Sequence, residues 1–457
     1  MKSTSDFFRP LIQKSTKFTD SLVFVNTFIL LLGSAYLVYE FQHEFEALRA
    51  NLLRYTLGTV FLYLTMGLLA FKIVFLCYML YQFIQYKSVA SAKDEDLPFC
   101  TIIVPAYNEG KLVYETLKTI AESNYPKHKL DVISVDDGSK DDTLYWINLA
   151  QKHLDCDIKV IEHTVNKGKR EALYNGFKKG KGSVFVTIDS DSIVDKNTIR
   201  NLVSPMVEDA NCGAVAGNVK VLNTAKGIIP KMLDVSFAYN FEFIRSAQSQ
   251  MKNVLCTPGA LAAYRREAVE HCLEDWMHQT FMGIRSDIGE DRAMTNMILK
   301  QGYDVLFQQN AVVYTKIPEK YSGLRKMFTR WERSNVRENV MMSKFAFTDF
   351  KENNTFQARL LLINQWLGIT VAIPMLMVML FMISFHPLLF ISSTLVSILV
   401  FSSIPATFYA VKHNVKSSYW AYTYSIFYAF SLFWITPYAL LTAKRKGWLT
   451  REIVLSK

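Results

Sequence analysis

Hydrophobic and polar positions divide the chain into three parts before any motif is considered. An uncharged apolar run from Ser21 to Tyr39 is long enough to cross a bilayer as a helix. A charged amphipathic stretch, Glu40 to Arg54, separates it from a second run, Tyr55 to Tyr86, interrupted only by Lys72. From Pro98 to Pro318 short β-branched runs (Thr101 to Val104, Asp131 to Val135, Ser183 to Ile188) alternate with helical stretches such as Gly110 to Ser123 and Lys140 to His153. Strands alternating with helices of that length predict an α/β domain with a mostly parallel sheet. The ligand of such a sheet lies beyond the carboxyl ends of its strands. A basic stretch, Tyr321 to Lys351, is expected to lie along the membrane interface. Three more apolar runs follow: Leu360 to Phe385, Pro387 to Val411 and Ser417 to Ala443.

The predicted organisation is a membrane region (1–97), a cytosolic domain (98–320), amphipathic interface helices (321–358), C-terminal transmembrane helices (359–443) and a tail (444–457). Lys2, Arg9, Lys14 and Lys17 before the first span and Lys87 and Lys93 after the second make both flanks cytoplasmic. The N-terminal apolar run is too long for a cleaved signal peptide and lacks a small-residue cleavage site after it. Two spans followed by three would leave Lys444-Arg445-Lys446 outside, against the positive-inside rule. One C-terminal run is therefore expected to be re-entrant, broken near Pro437, or divided into two short crossings.

Composition narrows the class. Half of the 457 residues are apolar and mean hydropathy is +0.11, which excludes a disordered chain and disfavours a purely soluble enzyme. The six cysteines never form a CxxC pair, so neither a disulfide framework nor a structural zinc site is expected. Of the net charge of +10, nearly all sits in Lys320 to Arg337 and Lys444 to Lys457, both beside apolar segments. Basic flanks of apolar spans read as cytoplasmic membrane edges. Nucleic-acid proteins more often spread their basic surface over a folded face with interleaved aromatics, so no nucleic-acid partner is expected.

Three carboxylate clusters fall where elements begin or end: Asp136-Asp137-Gly138-Ser139, Asp189-Ser190-Asp191-Ser192 and Gly289-Glu290-Asp291-Arg292. Each alone reads as a turn former. All three at one rim repel one another unless a cation sits among them. A DxD pair on a tight turn suits Mg2+ or Mn2+, which also binds substrate phosphates. Asn166-Lys167-Gly168-Lys169-Arg170 reads as a solvated basic turn alone and as a diphosphate partner beside such a site. Glu290-Asp291 fits either a general base or an N-cap carboxylate. In Thr329-Arg330-Trp331, the Arg suits phosphate and the indole suits a sugar face; an interfacial Trp with a snorkelling Arg is the alternative. Together these residues describe a metal-dependent enzyme using a nucleotide diphosphate, fused to membrane helices.

The order of these motifs resembles the membrane-embedded, processive branch of glycosyltransferase family 2, most closely the hyaluronan synthases, with chitin, chito-oligosaccharide and cellulose synthases as relatives. The resemblance covers Pro98 to Arg451. Glu274-Asp275-Trp276, Gln279, Phe281-Met282-Gly283 and Gly289 to Asn296 are similar to hyaluronan synthases in particular, as is the Cys-containing loop Cys256 to Arg265. The resemblance implies a GT-A-type, Rossmann-like cytosolic domain inserted between N- and C-terminal transmembrane helices. It implies that Pro105, Tyr107, Glu109, Asp136 and Asp137 hold uracil and ribose, and that Lys169 and Arg170 contact the nucleotide or its diphosphate. Asp189 would help bind the nucleoside and Asp191 would coordinate Mg2+ or Mn2+. Asp291 would be the base, supported by Glu290, with Cys256 and Arg292 beside them. Gly217-Asn218-Val219 would form the priming-loop region. Trp331, next to Arg330, would floor the acceptor site, and Trp448-Leu449-Thr450-Arg451 would fold over bound UDP. Four positions depart from the pattern: Met327 replaces the Gln of QxxRW, Asn218 an Asp, Thr257-Pro258-Gly259-Ala260-Leu261 the Gly-Pro pair, and Leu449 a Gly.

The expected function is thus an inverting, processive transferase that polymerises UDP-GlcNAc and UDP-GlcA onto a growing polysaccharide and passes it across the lipid bilayer. A chitin-like or other homopolymer synthase and a non-processive transferase with a lipid-linked acceptor remain alternatives. A transporter with a nucleotide-binding domain lacks the charged midplane residues and paired repeats such proteins carry, Lys72 apart. The aromatic stripe Tyr419 to Tyr424 suits either sugar stacking or helix packing.

Overall fold

The structure is a computed structural model, and it describes residues 17–445. Among the described residues ten strands form: β1 (Cys100–Ala106), β2 (Leu130–Asp136), β3 (Ile158–Glu162), β4 (Val184–Ile188), β5 (Ser192–Val194), β6 (Cys212–Val221), β7 (Leu261–Arg265), β8 (Thr280–Phe281), β9 (Ile284–Arg285) and β10 (Asp304–Thr315). Eight make one sheet in the order β3-β2-β1-β4-β7-β6-β10-β5, and β8 and β9 pair as a hairpin. Neighbours β1, β2, β3 and β4 are parallel, as are β6 and β10. The reversed strand β7 joins the halves, pairing antiparallel with both β4 and β6.

The strand residues explain the layering. β1, β2, β4 and β6 are apolar on both faces and almost wholly buried, as helix-covered parallel strands must be. The close approach of helix Lys169–Lys179 to β1 requires Gly176, where a β-carbon would stand 2.4 Å from Ile103. In register, Ala106 of β1 lies beside Asp136 of β2, so both strands release their chains at one edge.

Among the described residues, four helices are long and apolar enough to cross a membrane: Ser21–Glu40, Thr56–Gln85, Thr355–Phe385 and Pro387–Lys412. The last apolar run differs. Val415–Leu432 and Ile435–Leu441 meet at a 44° bend. Both ends of this segment touch the globular domain. His413 Nε2 lies 3.0 Å from Glu242, and Arg337 donates to the carbonyl oxygens of Ala443 (2.6 Å) and Arg445 (2.7 Å). The bend just before Pro437 is the geometry of a broken span or of a re-entrant loop, two of the three forms expected for this run. The basic stretch forms helix Tyr321–Ser343, which buries Arg333 and Arg337 against the helix Ile435–Leu441 region rather than exposing them.

Candidate active site

Parallel strands end with their last carbonyls and following side chains at one rim, and this rim opens onto a cavity of ≈ 630 Å³. At the end of β1 Pro105 lines it, and just beyond the strand Tyr107 and Glu109 do. The turn there is fixed by Thr143, whose Oγ1 accepts the backbone N–H groups of Glu109 and Gly110 at 2.8 Å each. After β2, Asp136 and Asp137 part. Asp136 turns back to accept Ser139 Oγ at 2.5 Å; burial raises its carboxyl above the usual range, with Ser139 pulling it down. Asp136 is absent from the cavity wall, whereas Asp137 lines it. Asp137 accepts the backbone N–H groups of Lys167 (2.9 Å) and Gly168 (2.8 Å) and pairs with His163 at 2.8 Å.

That grip sets the start of helix Lys169–Lys179 and sends its first two side chains opposite ways. Lys169 enters the cavity, 2.5 Å from Asp189 Oδ1 and 3.4 Å from Glu290 Oε1. Burial alone would lower its ammonium; Asp189, Glu290 and Asp291 more than offset this and hold it above its ordinary value. Gly259 leaves room for it opposite, since a β-carbon there would stand 2.5 Å from Lys169 Nζ and displace that ammonium. Arg170 turns away from the cavity. It donates to the Trp276 carbonyl (2.5 Å) and to Gln279 Oε1 (3.2 Å). The expected contact of Arg170 with the diphosphate is therefore not what this geometry provides.

Asp189 and Asp191 sit in different surroundings, although two residues apart. Asp189 is engaged by Lys169, whereas Asp191 Oδ1 accepts the hydroxyls of Ser192 and Thr315, each at 3.4 Å. Among the described residues, no three His, Cys, Asp or Glu side chains converge as a metal cage. The donors do fit a hard cation of another kind, because Mg2+ takes one or two carboxylates and completes its shell with substrate phosphates and water.

Glu290 and Asp291 reach the same cavity on the first turn of helix Glu290–Lys300, entered through Gly289 at φ 77°. Asp291 Oδ1 accepts the N–H of Arg292 (2.7 Å); Oδ2 accepts the N–H of Gly259 (3.3 Å) and the thiol of Cys256 (3.8 Å). Burial raises the Asp291 carboxyl above the usual carboxylate range. Glu290 adds to the rise, while Lys169 and the two backbone N–H groups pull it back. Burial also pushes the Cys256 thiol up to about 12, so Cys256 is a neutral donor. Arg292 donates to Asn335 and Asn339 at 2.5 Å each and also to Gln365 on the apolar helix Thr355–Thr370.

The far wall is aromatic. Trp331, partly exposed, packs against Phe328 (5.6 Å between centroids) and Phe237 (6.2 Å), with Arg330 and Met327 alongside. Tyr424 completes it from the bent C-terminal segment. The aromatic stripe thus divides: Trp420 packs on Phe24 (4.8 Å) and Tyr419 on Phe28 (5.3 Å), while Tyr424 faces the cavity. Val219 faces the cavity too, but Asn218 is turned to donate to the Gln309 carbonyl at 3.0 Å. Trp448, Thr450 and Arg451 lie outside the described residues.

Sequence reading missed Arg245 and Phe241. Both line the cavity, Arg245 stacking on Phe241 at 4.1 Å and donating to the Cys256 carbonyl at 2.7 Å. They lie on a π-helical turn, Tyr239–Arg245. Such turns often mark functional sites, but no local sequence signal announces one.

Comparison with known proteins identifies the family and the fold. Residues 98–334 match the family described as glycosyltransferase like family 2. A hyaluronan synthase of Streptococcus pyogenes is 30% identical over 367 residues, covering 77% of this chain and 83% of its own. An N-acetylglucosaminyltransferase of Azorhizobium caulinodans is 30% identical over 271 residues, 58% of this chain and 68% of its own. A mannosyltransferase from Pyrobaculum calidifontis, solved with GDP-Man and Mn2+, superposes with a TM-score of 0.55 at 24% identity, covering 82% of this chain and 98% of that one. The chain belongs to glycosyltransferase family 2 and has the GT-A-like fold. It is related to hyaluronan synthases and N-acetylglucosaminyltransferases.

Proposed function

We propose that this protein is an inverting, processive glycosyltransferase that polymerises UDP-activated sugars and passes the product through its own membrane helices. One observation carries this reading: a single cavity runs from the strand-end carboxylates to Tyr424 on the bent C-terminal segment. A donor at one end and a sugar stacked on Trp331 and Tyr424 at the other would place the acceptor hydroxyl near Asp291. Asp291 would take the hydroxyl proton as the oxygen attacks the anomeric carbon and the bond to UDP breaks, inverting that centre. Lys169 and Asp189 would hold the nucleotide. Mg2+ or Mn2+, held by Asp191 and the diphosphate, would neutralise charge on the departing UDP.

Membrane insertion with the catalytic domain in the cytoplasm follows from the same reading. If the bent segment begins and ends at the domain, four crossings remain, and the basic tail stays on the domain's side as the positive-inside rule requires. The resemblance to a hyaluronan synthase favours UDP-GlcNAc with UDP-GlcA as donors. Equal identity to an N-acetylglucosaminyltransferase makes a polymer of GlcNAc alone the second reading. The test is UDP release by the purified full-length protein with Mg2+ or Mn2+, with UDP-GlcNAc, UDP-GlcA, UDP-Glc and UDP-Gal supplied singly and in pairs. Sustained release only with the GlcNAc and GlcA donors together, yielding long polymer, supports the first reading. Release with UDP-GlcNAc alone supports the second.

A further inference from the structure

Consecutive residues on a helix do not share a face, and Lys169 and Arg170 reach opposite sides of the segment that carries Glu290 and Asp291. Lys169 meets Glu290 Oε1 from the cavity at 3.4 Å. Arg170, only 4% exposed, approaches from behind. Its guanidinium lies over the Trp276 ring at 5.0 Å and donates to the Trp276 carbonyl at 2.5 Å. The indole N–H of Trp276, itself 1% exposed, donates to the backbone carbonyl of Glu290 at 2.8 Å. Gln279 links Arg170 onward, accepting from it at 3.2 Å and donating to the buried Glu338 at 3.0 Å. Glu338 in turn accepts Asn296 Nδ2, on the Asp291 helix, at 2.8 Å.

We propose that Arg170 is a positioning residue for the Glu290-Asp291 helix start, acting through Trp276, and not a donor ligand. The physical case rests on what each contact fixes. A guanidinium stacked on an indole and bonded to the same residue's carbonyl sets both the ring's plane and its backbone. The ring's single donor then holds the peptide that joins Glu290 to Asp291. Displacing Trp276 by a fraction of an ångström would swing Asp291, whose one short bond, to the Arg292 N–H, moves with the same turn and whose contacts beyond it, to Gly259 and Cys256, are long. Small misplacements of a base cost much in rate and little in ground-state binding.

Arg170→Gln and Trp276→Phe, which keeps the ring and removes the indole N–H, test this in the full-length protein, with Arg170→Lys as the milder variant. Three readouts are needed, because the assignment rests on Asp291 being the base. With UDP-GlcNAc and UDP-GlcA as donors, kcat is expected to fall by about tenfold or more in each variant, with donor KM unchanged within roughly twofold. The double variant is expected to be no worse than the weaker single, since both break one chain of contacts. Independently of turnover, amide hydrogen exchange at residues 288–293 should rise in both variants while UDP affinity stays constant. Raised UDP Kd with unchanged exchange would overturn the proposal and return Arg170 to the donor site. Faster exchange with intact UDP affinity but no turnover in the wild type would sustain the positioning role and sink the donors proposed above.

Discussion

Lys169 Nζ lies 3.4 Å from Glu290 Oε1, tying the helix that carries the proposed base to the acids at the strand ends. The same ammonium pulls the Asp291 carboxyl down against the rise caused by burial. This gives the pH dependence a sign. Asp291 must be ionised to accept a proton, so activity should climb as pH rises through a value above that of an ordinary carboxylate. Lys169→Met removes the cation and should move this acid limb to still higher pH. It should also weaken UDP binding, because Asp189 loses its partner. A kcat profile over acidic to neutral pH checks both, and an acid limb left in place would contradict the coupling.

Asp191 and Asp189 should separate in a metal titration. Asp191→Asn is expected to raise the Mn2+ concentration needed for half-maximal turnover by at least about tenfold. Asp189→Asn should act mainly on the nucleotide. Chelation should stop turnover in the wild type. Equal metal responses in the two variants would remove Asp191 from its assigned role.

Two glycines offer a control for stability against function. At Gly289, φ is 77° and a β-carbon would stand 1.9 Å from Ser334 Oγ. Gly289→Ala should therefore destabilise by about 1–3 kcal/mol, seen as a lower thermal midpoint. At Gly259 the β-carbon meets only the mobile end of Lys169. Gly259→Ala should leave the midpoint in place and lower kcat/KM on the order of a hundredfold by moving that ammonium.

Tyr424 and Trp420 share one apolar segment but not one task. Tyr424→Ala should shorten the product or slow its extension while the protein remains folded. Trp420→Ala should cost about 3–5 kcal/mol by emptying its buried site against Phe24. Product length on a gel and thermal unfolding in detergent separate the two effects.

Much of this was legible in the sequence because its signals are local. β1, β2 and β4 end within one or two residues of the expected positions, since β-branched runs advertise themselves, and β2 and β4 run straight into their Asp clusters. The other seven strands, β6, β7 and β10 among them, carry no such local signal. β7 is Leu-Ala-Ala-Tyr-Arg, with no alternation to distinguish it from helix, and it runs against its neighbours. Arg170 was misplaced for a related reason: sequence shows that two cations are adjacent, but only the helix start fixed by Asp137 determines that they diverge. Arg245 needed tertiary structure, because it reaches the cavity from a π-turn, and only the packing of the C-terminal segment shows that Tyr424, of the whole aromatic stripe, faces it.

The most direct test of the central claim is Asp291→Asn, with UDP release and UDP binding measured on the same purified preparation. The proposed mechanism predicts turnover reduced by about 10²–10⁴-fold with UDP affinity within roughly twofold of wild type. Full turnover by Asp291→Asn would show that another group takes the acceptor's proton, and the assignment of this cavity's chemistry would fail.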